Sequence, residues 1–182
     1  MILHLETITG AMHAIAFIAK SIDTIALKKN LIEVFSLPKV EIIFETKDTL
    51  WCTIDGVKVS FISRFDTLLE PAQQVDSFRL ASVKDITVMK LVAVCGREEY
   101  KDYFDLACIG EGTDTRSWVS WWQCVYPEQD ITSWVVALSV VDSIQKIPLE
   151  IAENFKNKNV FDVIKSTVQD VTKQVKLIEG IQ

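Results

Sequence analysis

The dipeptide Asp55-Gly56, set between two strand-like runs, constrains this chain more than any other local feature. A two-residue turn that joins antiparallel strands requires positive φ at its centre, and Asp-Gly is among the few pairs that accept it at low cost. The flanking runs, Leu50–Ile54 and Val57–Ile62, are rich in β-branched and aromatic residues. In the second arm Val57, Val59 and Phe61 alternate with Lys58, Ser60 and Ile62, the period of a half-buried strand. Val40–Phe44 adds a compact β-branched run that suits a further, buried strand.

Helical patterns surround this sheet signal. Thr7–Ala19 is predicted as an apolar helix, weakened near its start by Gly10. Asp23–Phe35 is amphipathic, with Ile25, Leu27, Leu31, Ile32 and Phe35 at helical spacing, and Pro38 ends it. Arg64–Phe78 has no period and contains Pro71, so it is predicted as a long loop over the sheet. Ser82 is a suitable N-cap, with Asp85 completing a weaker capping box, for a helix to about Cys95 with Gly96 as C-cap. Further helices are predicted over Glu98–Ile109, Arg116–Cys124, Ile131–Val141 and Val160–Ile178. The fold class is therefore α+β: a small mixed sheet with a hairpin in front and a helical rear half. The domain expectation is a core over residues 1–110 with a helical region over 111–182 packed on it.

Bulk properties exclude some classes. Of the 182 residues 49% are hydrophobic and 24% charged, ordinary for a globular chain with a real core. The uncharged stretch Gly10–Ala19 is too short to span a bilayer and lacks the flanks of a signal peptide, so a cytoplasmic protein without a membrane partner is expected. Cys52, Cys95, Cys108 and Cys124 form no close pair, and His4 and His13 are the only histidines. This suits neither a zinc site nor a disulfide framework, and the thiols are expected to be reduced and mostly buried. A formal charge of −6 argues weakly against a free-standing nucleic-acid binder. Trp118, Trp121, Trp122 and Trp134 are able to stack on bases, but the helical spacing within Trp118, Trp121 and Trp122 favours packing.

The chemistry-bearing stretch runs from Leu80 to Leu91 (LASVKDITVMKL) and continues through Gly96-Arg97 to Lys101-Asp102-Tyr103-Phe104-Asp105-Leu106. Ile86, Lys90, Ala93 and Arg97 share one helical stripe, so two cations project from a largely apolar face. Asp102 and Asp105 share a face of the next helix, with Lys101 four residues before Asp105. Such an arrangement suits a phosphate-handling cleft. Spacing alone favours a plainer alternative: a snorkelling Lys90, a solvated aspartate pair and an Arg97 that bonds helix-end carbonyls.

This run resembles the motif of the nucleotidyltransferase-fold toxins of abortive-infection systems, the AbiEii/AbiGii family. Ala81, Ser82, Asp85, Met89, Lys90, Leu91, Arg97, Lys101, Asp102, Asp105 and Leu106 match it in order. Thr46–Phe61 is similar to the family's hairpin, and Ala137-Leu138, Asp142 and Pro148 resemble its helical tail more loosely. The resemblance implies catalytic roles for Lys90, Asp102 and Asp105, and phosphate contacts from Lys90 and Arg97. It also implies Mg2+ and a nucleoside triphosphate as cofactors of an active member, a nucleotide or tRNA as ligand, and an antitoxin protein as partner.

The chain departs from the family pattern in front of the hairpin. The glycine turn and Asp-x-Asp pair that hold magnesium are missing. Either Ser21-Ile22-Asp23 is a decayed copy with Ile25 at the second acid, or Ile22–Asn30 is the helix that follows the metal motif and the motif itself is absent. The second alignment suits the amphipathic pattern better. Ser60 stands where a third acid is expected, and Glu41 and Glu45 lie four apart beside a strand. No metal ligands are assigned. The expected function is a degenerate or truncated nucleotidyltransferase-like protein, weakly active or inactive. The alternatives are an active toxin that moves a nucleoside monophosphate to RNA, and a non-enzymatic module that binds a partner or nucleotide.

Overall fold

The computed structural model describes residues 2–5, 14–19, 21–35, 39–63, 67–76, 78–147 and 159–179. The chain divides into two compact units, Met1–Ala81 and Ser82–Gln182. The helices that carry the motif fall within the second unit. The fold is α+β, with the strands in the first unit and helices throughout the second.

The first unit holds strands β1 (Ile2–Leu5), β2 (Ala14–Ala19), β3 (Val40–Glu45), β4 (Thr49–Ile54), β5 (Val57–Ser63), β6 (Gln73–Val75) and β7 (Phe78–Leu80) with helix α1 (Thr24–Phe35). They form one mixed sheet in the order β3-β4-β5-β2-β1-β7-β6. The sheet is wider than the sequence suggests, and two expectations are corrected by it. The expected first helix is a strand in its described part: β2 runs antiparallel to β1 and parallel to β5. A short continuous apolar run reads alike as a buried helix or a central strand, and β2 has neighbours on both sides. The remainder of that expected helix, and Pro38, lie outside the described residues. The expected loop over Arg64–Phe78 contains β6 and leads into β7, an antiparallel pair with Val75 opposite Phe78. Three-residue strands carry too few positions to show a period.

α1 forms where amphipathic spacing predicts, but of that stripe only Leu27, Leu31 and Ile32 pack inward while Ile25 and Phe35 are exposed; Asp23 Oδ1 accepts the Ala26 amide at 3.0 Å as its N-cap. Its Leu31 packs with Val40, Leu50, Cys52, Val59 and Phe61 to make the core of this unit. β4 and β5 pair antiparallel with Ile54 opposite Val57, and the turn has φ of 50° at Asp55 and 82° at Gly56. Both values fit the left-handed turn that the dipeptide predicts.

The second unit contains α2 (Val83–Gly96), α3 (Tyr100–Gly112), α4 (Ser117–Val125), α5 (Thr132–Ser139), a 3-10 turn over Val141–Ser143, and α6 (Val160–Glu179). α2 packs against α3, α4 and α5, while α3 and α5 pack against α6. Ser82 Oγ accepts the Asp85 amide at 3.1 Å as the N-cap and donates to Asp85 Oδ2 at 2.6 Å, so the cap forms and Asp85 meets the Ser82 hydroxyl. Gly96 is the last helical residue and not a left-handed cap; Arg97, in extended backbone, takes that place through its amide to Ala93 O at 2.9 Å. Gly110 and Gly112 likewise stay inside α3. A Cβ on Gly110 would meet Thr115 Cγ2 at 3.3 Å, so this glycine permits close packing and not a turn.

Trp118, Trp122 and Trp134 are buried in this unit, with Trp122 and Trp134 ring centroids 6.4 Å apart. Their packing role follows the sequence expectation. The cysteines follow it only in part, because Cys52 is buried and Cys108 half-buried whereas Cys95 and Cys124 are exposed; all four are free thiols. Among the described residues no helix is long and apolar enough to cross a membrane.

The turn supplies a direct test. Nothing lies within 4 Å of a Cβ placed on Gly56, so a side chain there meets only backbone strain. Gly56→Val should cost about 1 kcal/mol or more, as expected for a β-branched residue at positive φ, whereas Gly56→Asn should cost clearly less. Urea unfolding followed by circular dichroism checks this; equal midpoints for the two variants would refute the turn assignment.

Candidate functional site

The motif residues converge inside the helical unit. On α2 the buried side comprises Asp85, Thr87, Val88, Lys90, Leu91 and Val94, so Lys90 lies among apolar neighbours at helical spacing. On α3 the corresponding side begins with Asp102 and continues through Tyr103, Phe104, Leu106 and Ala107. The short link Arg97–Glu99 joins the two helices and they pack together. That packing brings a lysine from one buried side to carboxylates on the other.

The resulting network is tight. Lys90 Nζ donates to Asp102 Oδ1 at 2.9 Å and lies 2.5 Å from Asp105 Oδ2. Arg97 takes the other side of Asp102, with Nε 2.8 Å from Oδ2 and Nη2 3.2 Å from Oδ1. Side-chain exposure is 5% for Lys90, 0% for Asp102, 17% for Asp105 and 44% for Arg97. The network therefore runs from a fully buried carboxylate to a guanidinium at the surface. This differs from the snorkelling reading that spacing left open, since Lys90 does not snorkel and Arg97 uses its side chain on a carboxylate, while the cations and carboxylates of the two helices do come together. The shared stripe of Lys90 and Arg97 is real, because both reach the same aspartate.

Electrostatics follow from this geometry. Burial penalises the charged Lys90, but Asp105 and Asp102 together outweigh it and raise its pKa above the ordinary lysine value. Burial also opposes ionisation of Asp102, yet Lys90 and Arg97 hold its pKa below the ordinary aspartate value. The charged forms are thus mutually dependent: either ion alone in this position would be strongly disfavoured.

Magnesium does not fit the described carboxylates. Asp102 and Asp105 already converge on an ammonium, which fills the position between them that a cation would need. Glu41 and Glu45 are separated by a bulge in β3. Glu41 pairs with Thr53 and Glu45 with Leu50, residues on opposite faces of β4, so the two glutamates also face opposite sides. Glu45 instead contacts Lys28 of α1 at 2.6 Å. Ser60 lies opposite Trp51 in the hairpin. Among the described residues no three of His, Cys, Asp and Glu gather into a possible metal site. His13 lies outside the described residues, as does the His4 side chain.

Glu99 was missed by sequence reasoning. Its carboxylate lies between two cations, 3.7 Å from Arg97 Nη1 and 3.1 Å from Lys101 Nζ. The signal was present in the run Arg97-Glu98-Glu99-Tyr100-Lys101, but nothing in a link of unknown geometry says which acid faces which base.

No family model matches the sequence. A curated relative, the uncharacterized protein aq_aa25 of Aquifex aeolicus (strain VF5), is 34% identical over 92 residues, covering 50% of this chain and 43% of that protein. The chain thus matches less than half of that relative's length. A solved structure of a candidate nucleotidyltransferase from H. pylori overlaps with a TM-score of 0.44 at 14% identity, over 93% of this chain and 80% of that one. JHP933 from Helicobacter pylori gives a TM-score of 0.40 at 15% identity, over 96% and 84%. Likeness at this level assigns no activity to the chain.

The network makes a stability prediction with an order. Lys90→Met leaves two carboxylates short of their shared cation and should cost about 3 kcal/mol, the scale of a broken buried pair. Arg97→Gln removes a half-exposed partner and should cost about 1 kcal/mol or less. Because the Asp102 pKa is lowered, its contribution is present above the ordinary aspartate range and lost as pH falls through the folded value. The raised Lys90 value places the opposite loss above the ordinary lysine range, so neutral pH lies inside the window. Urea titrations read by fluorescence of the buried tryptophans, at neutral and acid pH, check both statements. An Arg97→Gln cost above that of Lys90→Met would overturn the ordering.

Proposed function

We propose that this chain is a nucleotidyltransferase-like protein, related by its motif to the abortive-infection toxins, that binds phosphate-bearing ligands without transferring nucleotides. The observation that carries the reading is the convergence of the motif's charges: Lys90, Arg97, Asp102 and Asp105 form one connected network. An unrelated helical module has no need to sink a lysine and an aspartate into its core, where each costs several kcal/mol to desolvate alone.

Within this reading the residues divide by depth. Lys90 orders Asp102 and Asp105 and is too buried to meet a ligand directly. Arg97, held by Asp102 and 44% exposed, is the cation placed to receive phosphate oxygens. Catalysis of the expected type needs carboxylates that hold magnesium between phosphate and acceptor. The family's Asp-x-Asp pair has no counterpart in the sequence, and Glu41 and Glu45 face opposite sides of the sheet. By the same resemblance, a tRNA or nucleotide is the ligand class and an antitoxin-like protein the partner.

The test is a transfer assay. The purified chain is incubated with each labelled nucleoside triphosphate, magnesium and total tRNA, and binding is measured in parallel without magnesium. Weak metal-independent binding with no label on RNA is expected. Label transfer that Lys90→Met abolishes, in a variant that keeps its circular dichroism spectrum, would overturn the reading.

A further inference from the structure

The link between α2 and α3 holds a second layer of charge outside the buried network. Arg97 grips Asp102 through Nε and Nη2 and turns Nη1 toward Glu99. Lys101, the second residue of α3, reaches the other oxygen of the same carboxylate. Glu99 occupies the N-cap position of α3, yet its side chain makes no capping hydrogen bond. Its two oxygens instead face one guanidinium and one ammonium. All three side chains are partly open to solvent, at 44% for Arg97, 46% for Glu99 and 35% for Lys101.

An oxyanion between a guanidinium and an ammonium is the arrangement a bound phosphate group adopts. Here the oxyanion is supplied by the chain. A carboxylate carries one charge and two oxygens, whereas a terminal phosphate carries close to two charges and three oxygens. A terminal phosphate therefore competes well for the same pair of cations, and a backbone phosphodiester, with one charge and two free oxygens, competes as the carboxylate's equal. Arg97 needs little reordering to accept it, because Asp102 fixes the guanidinium from behind.

We infer that Arg97 and Lys101 form a phosphate-binding pair and that Glu99 is its built-in competitor, displaced when a phosphate group enters. This rests on the phosphate-binding reading of the Arg97 network and adds two residues to it. The shared chemistry is a phosphate group, whether the tail of a nucleoside triphosphate or the backbone of an RNA.

Calorimetric titration of the full chain with inorganic tripolyphosphate, and separately with a short single-stranded RNA lacking terminal phosphates, tests it without magnesium. Glu99→Gln removes the competing charge and should tighten binding about two- to fivefold, the scale of one exposed ion pair. Lys101→Ala should weaken binding by a similar factor and cancel the gain in the double variant. A gain with tripolyphosphate assigns the pair to a nucleotide tail; a gain with RNA alone assigns it to backbone phosphates. If Glu99→Gln changes neither titration while Arg97→Ala weakens binding, the competitor role is refuted and the network reading survives. If neither wild type nor Glu99→Gln binds either probe, both readings fail. Circular dichroism of each variant separates these results from loss of fold.

Discussion

A lysine ammonium with almost no access to water is the element around which the helical unit is arranged. Lys90 sits in the buried side of α2, and its charge is tolerable there only because Asp102 and Asp105 reach it from α3. That requirement fixes the relation of the two helices. The carboxylates stand one turn apart on α3, so only one rotation of that helix presents both to the same ammonium. Tyr103, Phe104, Leu106 and Ala107 then take up buried positions around them, and Tyr103 donates to Ala137 O at 3.0 Å from the same stretch. Charge and packing thus select the same helix orientation, a consistency between levels expected of a well-specified fold.

The network also separates two tasks that the motif leaves combined. A cation that neutralises phosphate must be reachable, whereas a cation that holds a core must be shielded. Lys90 is shielded and Arg97 is half-open, yet both touch Asp102. The aspartate therefore couples the surface guanidinium to the buried ammonium. Any charge placed beside Arg97 would be felt electrostatically by Asp102, because the two are in direct contact.

The sheet unit illustrates how register governs chemistry. Glu41 and Glu45 have an even separation that would place them on one face of a regular strand. The bulge between Ile42 and Phe44 adds one residue and sends them to opposite faces. The same shift brings Phe44 opposite Trp51, with ring centroids 4.9 Å apart, and leaves Glu45 to pair with Lys28. One inserted residue thus decides whether two acids share a face.

Much of this protein was readable from local pattern because local pattern has local causes. Asp55-Gly56 specified its turn through backbone sterics, Ser82 and Asp85 specified a helix start through orphan amides, and the spacing of Leu27, Leu31 and Ile32 specified α1. The stripe shared by Lys90 and Arg97 followed from helical geometry in the same way. Tertiary structure decided what no local term contains. β2 is a strand because β1 and β5 flank it, while its apolar run by itself suits a helix equally well. Glu99 faces Arg97 and Lys101 because of the path taken by a three-residue link. Whether Lys90 lay in water or in the core depended on the packing of α2 against α3, since burial is a property of neighbours and not of spacing.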